Sequence, residues 1–187
     1  MQQISQNLIV IGPSDQWNEA YDGAIKIYLS GTIDLGKPEG WQDKFVSALT
    51  KMTDPVNGDP RFKGKSWVVM NPRGPIQNPT VSLDNQEFVG KTRWELEALG
   101  RADIVFCNLQ KKSKSPSALY GLLLTLHDPG RLIVRCPLEY VMYPVVKIMT
   151  ESAGIRVLGD TATAKDVMEA ATRICEKLRD NEEYGLE

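Results

Sequence analysis

The run WELEAL (94–99) carries the acidic residues best suited to acid–base work. Glu95 and Glu97 are two apart, so on a helix they point in different directions and cannot act as a paired dyad. One can face a ligand while the other faces solvent; Arg93 and Arg101 can instead hold both as surface ion pairs. A second candidate is SGTIDLGK (30–37), where Gly31 lets backbone approach a ligand and Thr32 offers both a donor and an acceptor. A plain strand-to-helix turn has the same residues, and the run is not GxGxxG. A third candidate is KSKSPS (112–117), which leads into a helix start. There Ser115, Ser117 and free backbone N–H groups form an anion cradle, although an exposed loop ending in a capping serine fits equally. The one histidine, His127 in LHDPGR, excludes a multi-histidine metal site and reads as a cation closing a helix. Cys107, Cys136 and Cys175 match no zinc or redox spacing and read as buried thiols. No metal and no cofactor is expected, and chemistry must rest mainly on carboxylates.

The elements that position these residues belong to one ordinary globular chain. At 187 residues a single domain with a real core is favoured over two. Hydrophobic residues at 42% and charged ones at 25% exclude disorder for the bulk of the chain. A net charge of −2 supplies no basic field, so no nucleic-acid partner is expected. No apolar run is long enough to span a membrane, and MQQISQNLIVIGPSD lacks the basic start of a secretory signal. A cytoplasmic protein without a membrane partner is expected.

Strand-length apolar runs alternate with amphipathic segments. NLIVI (7–11), IKIYLSG (25–31), SWVVMN (66–71), DIVFCNL (103–109), RLIVRC (131–136) and IRVL (155–158) read as strands. EGWQDKFVSALTKM (39–52), with Pro38 before it, EFVGKTRWELEALGRA (87–102) and SALYGLLLTL (117–126), opened by Pro116, read as helices. LEYVMYPVVKIMTESAG (138–154) reads as helical but broken near Pro144, and TAKDVMEAATRICEKLRD (163–180) as an amphipathic C-terminal helix. The stretch 72–85 holds three prolines and reads as a long loop.

This alternation predicts an α/β three-layer domain, flavodoxin-like or Rossmann-like, with a central parallel sheet. Ligands in such sheets sit beyond the carboxyl ends of the strands. That rule selects the loops after 25–31, 66–71 and 103–109, and predicts Thr32, Asn71 and Ser117 on one face.

Taken in order, IYLSGTIDLGKPEGWQ (27–42), WVVMNPRG (67–74), DNQEFVGKTRWELEALGRADIVFCNL (84–109), SKSPSALYGLLL (113–124) and RLIVRCP (131–137) resemble the nucleoside 2-deoxyribosyltransferase-like family, which includes phage-encoded members. The chain is then expected to be one domain (1–187), with an N-terminal extension (1–24) outside the resemblance, a core (25–160) that carries it and a C-terminal helix (161–187). The resemblance implies a nucleoside or nucleotide as the small-molecule partner, a homo-oligomer, and, for a phage-encoded member, the host cytoplasm. It also implies cleavage or exchange of an N-glycosidic bond by double displacement, with a glutamate attacking the sugar. Carried over residue by residue, Glu95 takes the place of the acid directed at the substrate. Gly31, Thr32, Asn71, Arg73, Ser115 and Ser117 take the binding positions. Asp34 stands where nucleotide-specific relatives have an arginine, which favours a nucleoside over a nucleotide unless Lys112 or Lys114 supplies the charge.

The family's attacking glutamate falls on Gly121, and no carboxylate occurs from Ser115 to Leu126. Three readings follow. The chain cleaves the bond by another route, with Glu95 assisting a water. Alternatively it is a silent member that binds a nucleoside-like ligand or a protein partner. A flavin or dinucleotide binder on the same fold is weaker, since the glycine fingerprint is absent. Gly121 is expected to leave space for the missing side chain, so that Gly121→Glu would restore some exchange.

Overall fold

The computed structural model describes residues 2–5, 7–32, 40–62, 64–73, 80–111 and 117–159, together with 169 and 172; of 2–5, 117 and 118 it describes the backbone alone. The described strands are β1 (Gln2–Ser5), β2 (Leu8–Ile11), β3 (Ile25–Gly31), β4 (Trp67–Met70), β5 (Ile104–Asn108), β6 (Leu132–Arg135) and β7 (Val157–Leu158). The described α-helices are α1 (Trp41–Met52), α2 (Gln86–Arg101), α3 (Ser117–Thr125) and α4 (Tyr143–Ser152). They build a sheet in the order β1-β2-β4-β3-β5-β6-β7. Six strands, β2 to β7, run parallel, as the apolar runs predict. The short β1 pairs antiparallel with β2 and forms one edge. This is the three-layer α/β arrangement of flavodoxin-like folds.

Burial on both faces explains why the strands lack polar alternation. Trp67–Met70 and Ile104–Asn108 are buried at every position. On one face Ile27, Leu29, Phe106 and Trp67 pack against Phe45, Val46 and Leu49 of α1. On the other, Tyr28, Val105 and Cys107 pack against Ala98 and Leu99 of α2, Leu122 of α3 and Val146 of α4. The crossover to β4 therefore lies on one side of the sheet, and those to β5, β6 and β7 on the other. The outgoing chain changes side around β3, which places the sheet's switch point there.

Local chemistry fixes the helix ends. Asn85 caps α2, its side-chain oxygen accepting from the N–H groups of Glu87 and Phe88 (3.2 and 3.4 Å). At the other end of α2, Arg131 donates to the carbonyls of Leu99 and Ala102 (2.9 and 2.8 Å). The expected break at Pro144 is corrected: α4 begins at Tyr143, so Pro144 lies in its first turn. A proline there forgoes only an N–H that has no intrahelical acceptor. The predicted helix 163–180 lies outside the described residues, except that 169 and 172 are helical. No helix among the described residues is long and apolar enough to cross a membrane.

The N-terminal strand predicted at 7–11 is β2, which joins the sheet beside β4. The chain then crosses to β3 with Trp17 edge-on to Tyr21 (5.3 Å between ring centroids) and Arg101 over the Trp17 ring at 4.5 Å. His127 is exposed just beyond the end of α3.

Cys107 and Cys136 are buried free thiols. Burial pushes Cys107 up to about 12 and Cys136 up to about 11. At pH 8 the thiolate share of Cys107 is then on the order of one part in ten thousand. Thiol titration of the native protein, followed by peptide mapping, is expected to find both residues unmodified until denaturant is added. Rapid native labelling of either one contradicts this packing.

Candidate functional site

The carboxyl ends of β3, β4 and β5 lie side by side, with Tyr28 opposite Met70 and Gly31 opposite Asn108. Gly31 ends β3 at φ +132°, a region that side chains rarely enter. A Cβ there would lie 2.7 Å from the carbonyl carbon of Asn108. Glycine is thus needed for the close approach of β3 to β5, and not only for a ligand.

Thr32 continues that junction. Its N–H donates to the Asn108 carbonyl (3.1 Å), and its hydroxyl oxygen accepts from the Gln110 N–H (3.2 Å). Its carbonyl accepts from Trp41 Nε1 (2.6 Å) and Gln42 Nε2 (3.4 Å). Buried and engaged on three sides, Thr32 straps the β3 loop to the β5 loop and to the start of α1. Asn108 is also buried and accepts from Arg135 Nη1 of β6 through its side-chain oxygen (3.0 Å).

The β4 loop joins the same edge. Asn71 donates its N–H to Ile11 of β2 (2.8 Å) and accepts from the Arg73 N–H with its side-chain oxygen (3.0 Å). Arg73 reaches across to Asp43 in the first turn of α1 (2.6 Å), and Asp43 also accepts from the Gly40 N–H (3.1 Å). Gly31, Thr32, Asn71, Arg73 and the start of α3 at Ser117 thus share the carboxyl edge. Asp34 and Ser115 lie outside the described residues, as does the side chain of Ser117.

Helix periodicity separates the two glutamates. Glu97 is 55% exposed and held by Arg101 (3.0 Å), a surface pair. Glu95 is 30% exposed and 3.8 Å from Lys91, and its charge adds to the burial that raises the pKa of Tyr28. Burial raises the Glu95 carboxyl above its ordinary value of 4.5, against the opposing pull of Lys91. Leu99, one turn along α2, lies 4.0 Å from where a Cβ on Gly121 would stand, so this side of α2 faces α3.

Gly121 is the tightest point in the region. A Cβ at that position would collide with the Ser30 hydroxyl and come within 2.6 Å of Ser30 Cβ. The expectation of free space at residue 121 is corrected: α3 lies so close to β3 that the strand occupies it. Among the described residues no three His, Cys, Asp or Glu side chains gather to hold a metal ion.

The family model described as Nucleoside 2-deoxyribosyltransferase like matches residues 24–140. The chain belongs to that family. The match runs from the residue before β3 to Tyr140, and so takes in all three carboxyl-edge loops and helix α3. A search of curated proteins found no match.

Ser30, Trp41, Gln42, Asn108 and Gln110 hold the edge together, and sequence reasoning did not single them out. Ser30 and Asn108 had a visible signal, a polar residue at the carboxyl end of an apolar strand. Trp41 and Gln42 had none, because Trp41 already fits the apolar face of its helix.

Two outcomes test this geometry. Gly121→Ala is expected to destabilise by about 1–3 kcal/mol through overpacking, and by clearly less in a Ser30→Gly background. A double-mutant cycle by urea unfolding measures this, and equal costs in both backgrounds would show that residues 30 and 121 do not touch. For Glu95 the sign follows from its raised pKa: the folded chain holds the proton more tightly than the unfolded one, so ionisation costs stability. Glu95→Gln is therefore expected to match the wild type in Tm below the unfolded-state value of 4.5. Its Tm should rise above the wild type as pH climbs past that value, with the gap complete above the raised folded value. A pH series of melting curves decides it.

Proposed function

We propose that the carboxyl-edge crevice binds a nucleoside-like ligand and that the chain does not catalyse base exchange. Family membership supports the ligand class. The observation that carries the second part is the seating of Gly121 against Ser30. The resemblance gives residue 121 to the attacking glutamate, and here that position has neither a carboxylate nor room for one. Losing a covalent nucleophile costs several orders of magnitude in rate. A Gly121→Glu change would strain the contact of α3 with β3, so it is not expected to restore exchange by itself.

Asp34 favours nucleosides over 5′-monophosphates, since its carboxylate repels phosphate. A second reading rests on Glu95. Burial holds its proton to higher pH than usual, which suits a group that assists the departure of a base while water attacks the sugar. Inverting chemistry of this kind needs no covalent glutamate.

The test has three arms. Calorimetric titration with a deoxynucleoside and its 5′-monophosphate is expected to favour the nucleoside. A base-exchange assay with a donor deoxynucleoside and a free acceptor base is expected to stay at the uncatalysed rate. Release of free base, followed by chromatography, separates the second reading: hydrolysis by the wild type that Glu95→Ala abolishes supports it. Robust exchange by the wild type overturns the silent-member reading. Absence of binding by either ligand overturns the nucleoside site.

A further inference from the structure

We propose that the ring of Phe88, in the first turn of α2, is the platform on which the base of a nucleoside stacks, an inference that rests on the nucleoside reading of the crevice. The first observation is how far α2 outruns the sheet. Just past its last residue, Arg101, the chain is pinned at the amino edge. There the Asp103 N–H donates to the Lys26 carbonyl (3.0 Å), and the Asp103 carboxylate accepts from the Lys26 N–H (2.8 Å). Farther along, Trp94 meets Tyr28 of β3 (6.5 Å between ring centroids), so the helix runs beside that strand. From Arg101 back to Phe88 it climbs about 20 Å. From Lys26 to Gly31, its last residue, β3 climbs only about 16 Å. The first turn of α2 therefore stands beyond the carboxyl end of β3, over the edge where the crevice loops meet.

The second observation is the face on which Phe88 lies. Phe88, Glu95 and Leu99 follow one another at spacings of seven and four residues, which is one stripe of a helix. Leu99 shows where that stripe looks. It is buried, 4.0 Å from where a Cβ on Gly121 would stand against Ser30 of β3. The stripe is thus turned to the sheet while the sheet lies beneath it, and to the crevice once α2 has passed the strand end. Exposure follows the same course, with Leu99 buried and Glu95 and Phe88 half-buried. Among the described residues Phe88 joins neither apolar core cluster, whereas Trp94 packs against one of them. Asn85 orders the turn that carries the ring by accepting from the Phe88 N–H (3.4 Å).

A half-buried ring at the mouth of a crevice offers a flat apolar face to a ligand. Stacking on such a ring suits any base, because every base has a π-face, and it needs no charge on the ligand. Lys91 and Glu95 follow Phe88 along the helix toward the sheet. An ammonium and a carboxyl thus come next to the ring, and these can meet the polar edges of a base. The platform selects aromatic bases as a class without choosing among them, and it places affinity in the base.

Calorimetric titration with each of the four deoxynucleosides tests it, on the full chain and on Phe88→Leu and Phe88→Trp. Leucine keeps an apolar side chain and removes the flat ring, whereas tryptophan keeps a ring. Phe88→Leu is expected to weaken binding by about fivefold or more while Tm is unchanged. Phe88→Trp is expected to bind as well as the wild type or better. A folded Phe88→Leu that binds as tightly as the wild type overturns the platform and leaves the nucleoside site standing. Equal loss in both folded variants overturns it as well. A wild type that binds none of the four overturns the nucleoside site, and the platform with it. Should a variant fail to fold, nuclear Overhauser contacts in the saturated wild-type complex decide. Contacts between base protons and the Phe88 ring support the platform, and their absence overturns it.

Discussion

The junction of β3 and β5 at Gly31 and Asn108 is the constraint on which the site depends. β3 is the strand around which the chain changes sides of the sheet, and in such sheets the carboxyl end of that strand is where a ligand is received. The two strands stay paired to their last residues, and that requires a glycine at φ +132° under the Asn108 carbonyl. Thr32 then locks the departing chain with bonds to the β5 loop and to α1. A side chain at 31 would separate the strand ends and release every loop that Thr32 holds. The residues assigned to ligand contact by pattern are therefore also the ones that keep the edge closed.

Electrostatics around the crevice follows from this closure. Arg73 is held against Asp43, Arg135 against Asn108, and Lys91 near Glu95. Among the described residues these three cations at the edge have carboxylate or amide oxygens beside them, so they attract an anion less than their charge alone implies. Glu95 differs from its neighbours, because it is half-buried near the apolar body of Tyr28 and only loosely matched by Lys91. Its burial raises the carboxyl above its ordinary value, against the pull of Lys91.

Most of the architecture was legible because parallel strands buried on both faces need continuous apolar runs, and WVVM and IVFCN are such runs. The 3.6-residue period also separated Glu95 from Glu97 correctly. β1 was not legible: an edge strand of QQIS composition has no core-facing pattern to find. Pro144 was misread because a proline gives the same signal whether it opens a helix or interrupts one, and only the position of Tyr143 at the helix start distinguishes them. Gly121 was misread for a different reason. A missing side chain looks like empty volume in a sequence, whereas in a packed protein another element fills it. Which element fills it depends on how near α3 lies to β3, a distance that no local pattern encodes.

The contact of Gly121 with Ser30 has an evolutionary consequence. A glutamate arriving at 121 while serine stands at 30 meets the strand, and shrinking residue 30 first gives nothing to a chain that has no carboxylate to place. The two changes fit only together, so neither is favoured alone, and the route to a larger side chain at 121 passes through a less stable intermediate. Such sign dependence between two sites acts as a ratchet. With Ser30 in place, position 121 stays closed to any single substitution that adds a side chain, whatever that side chain could do.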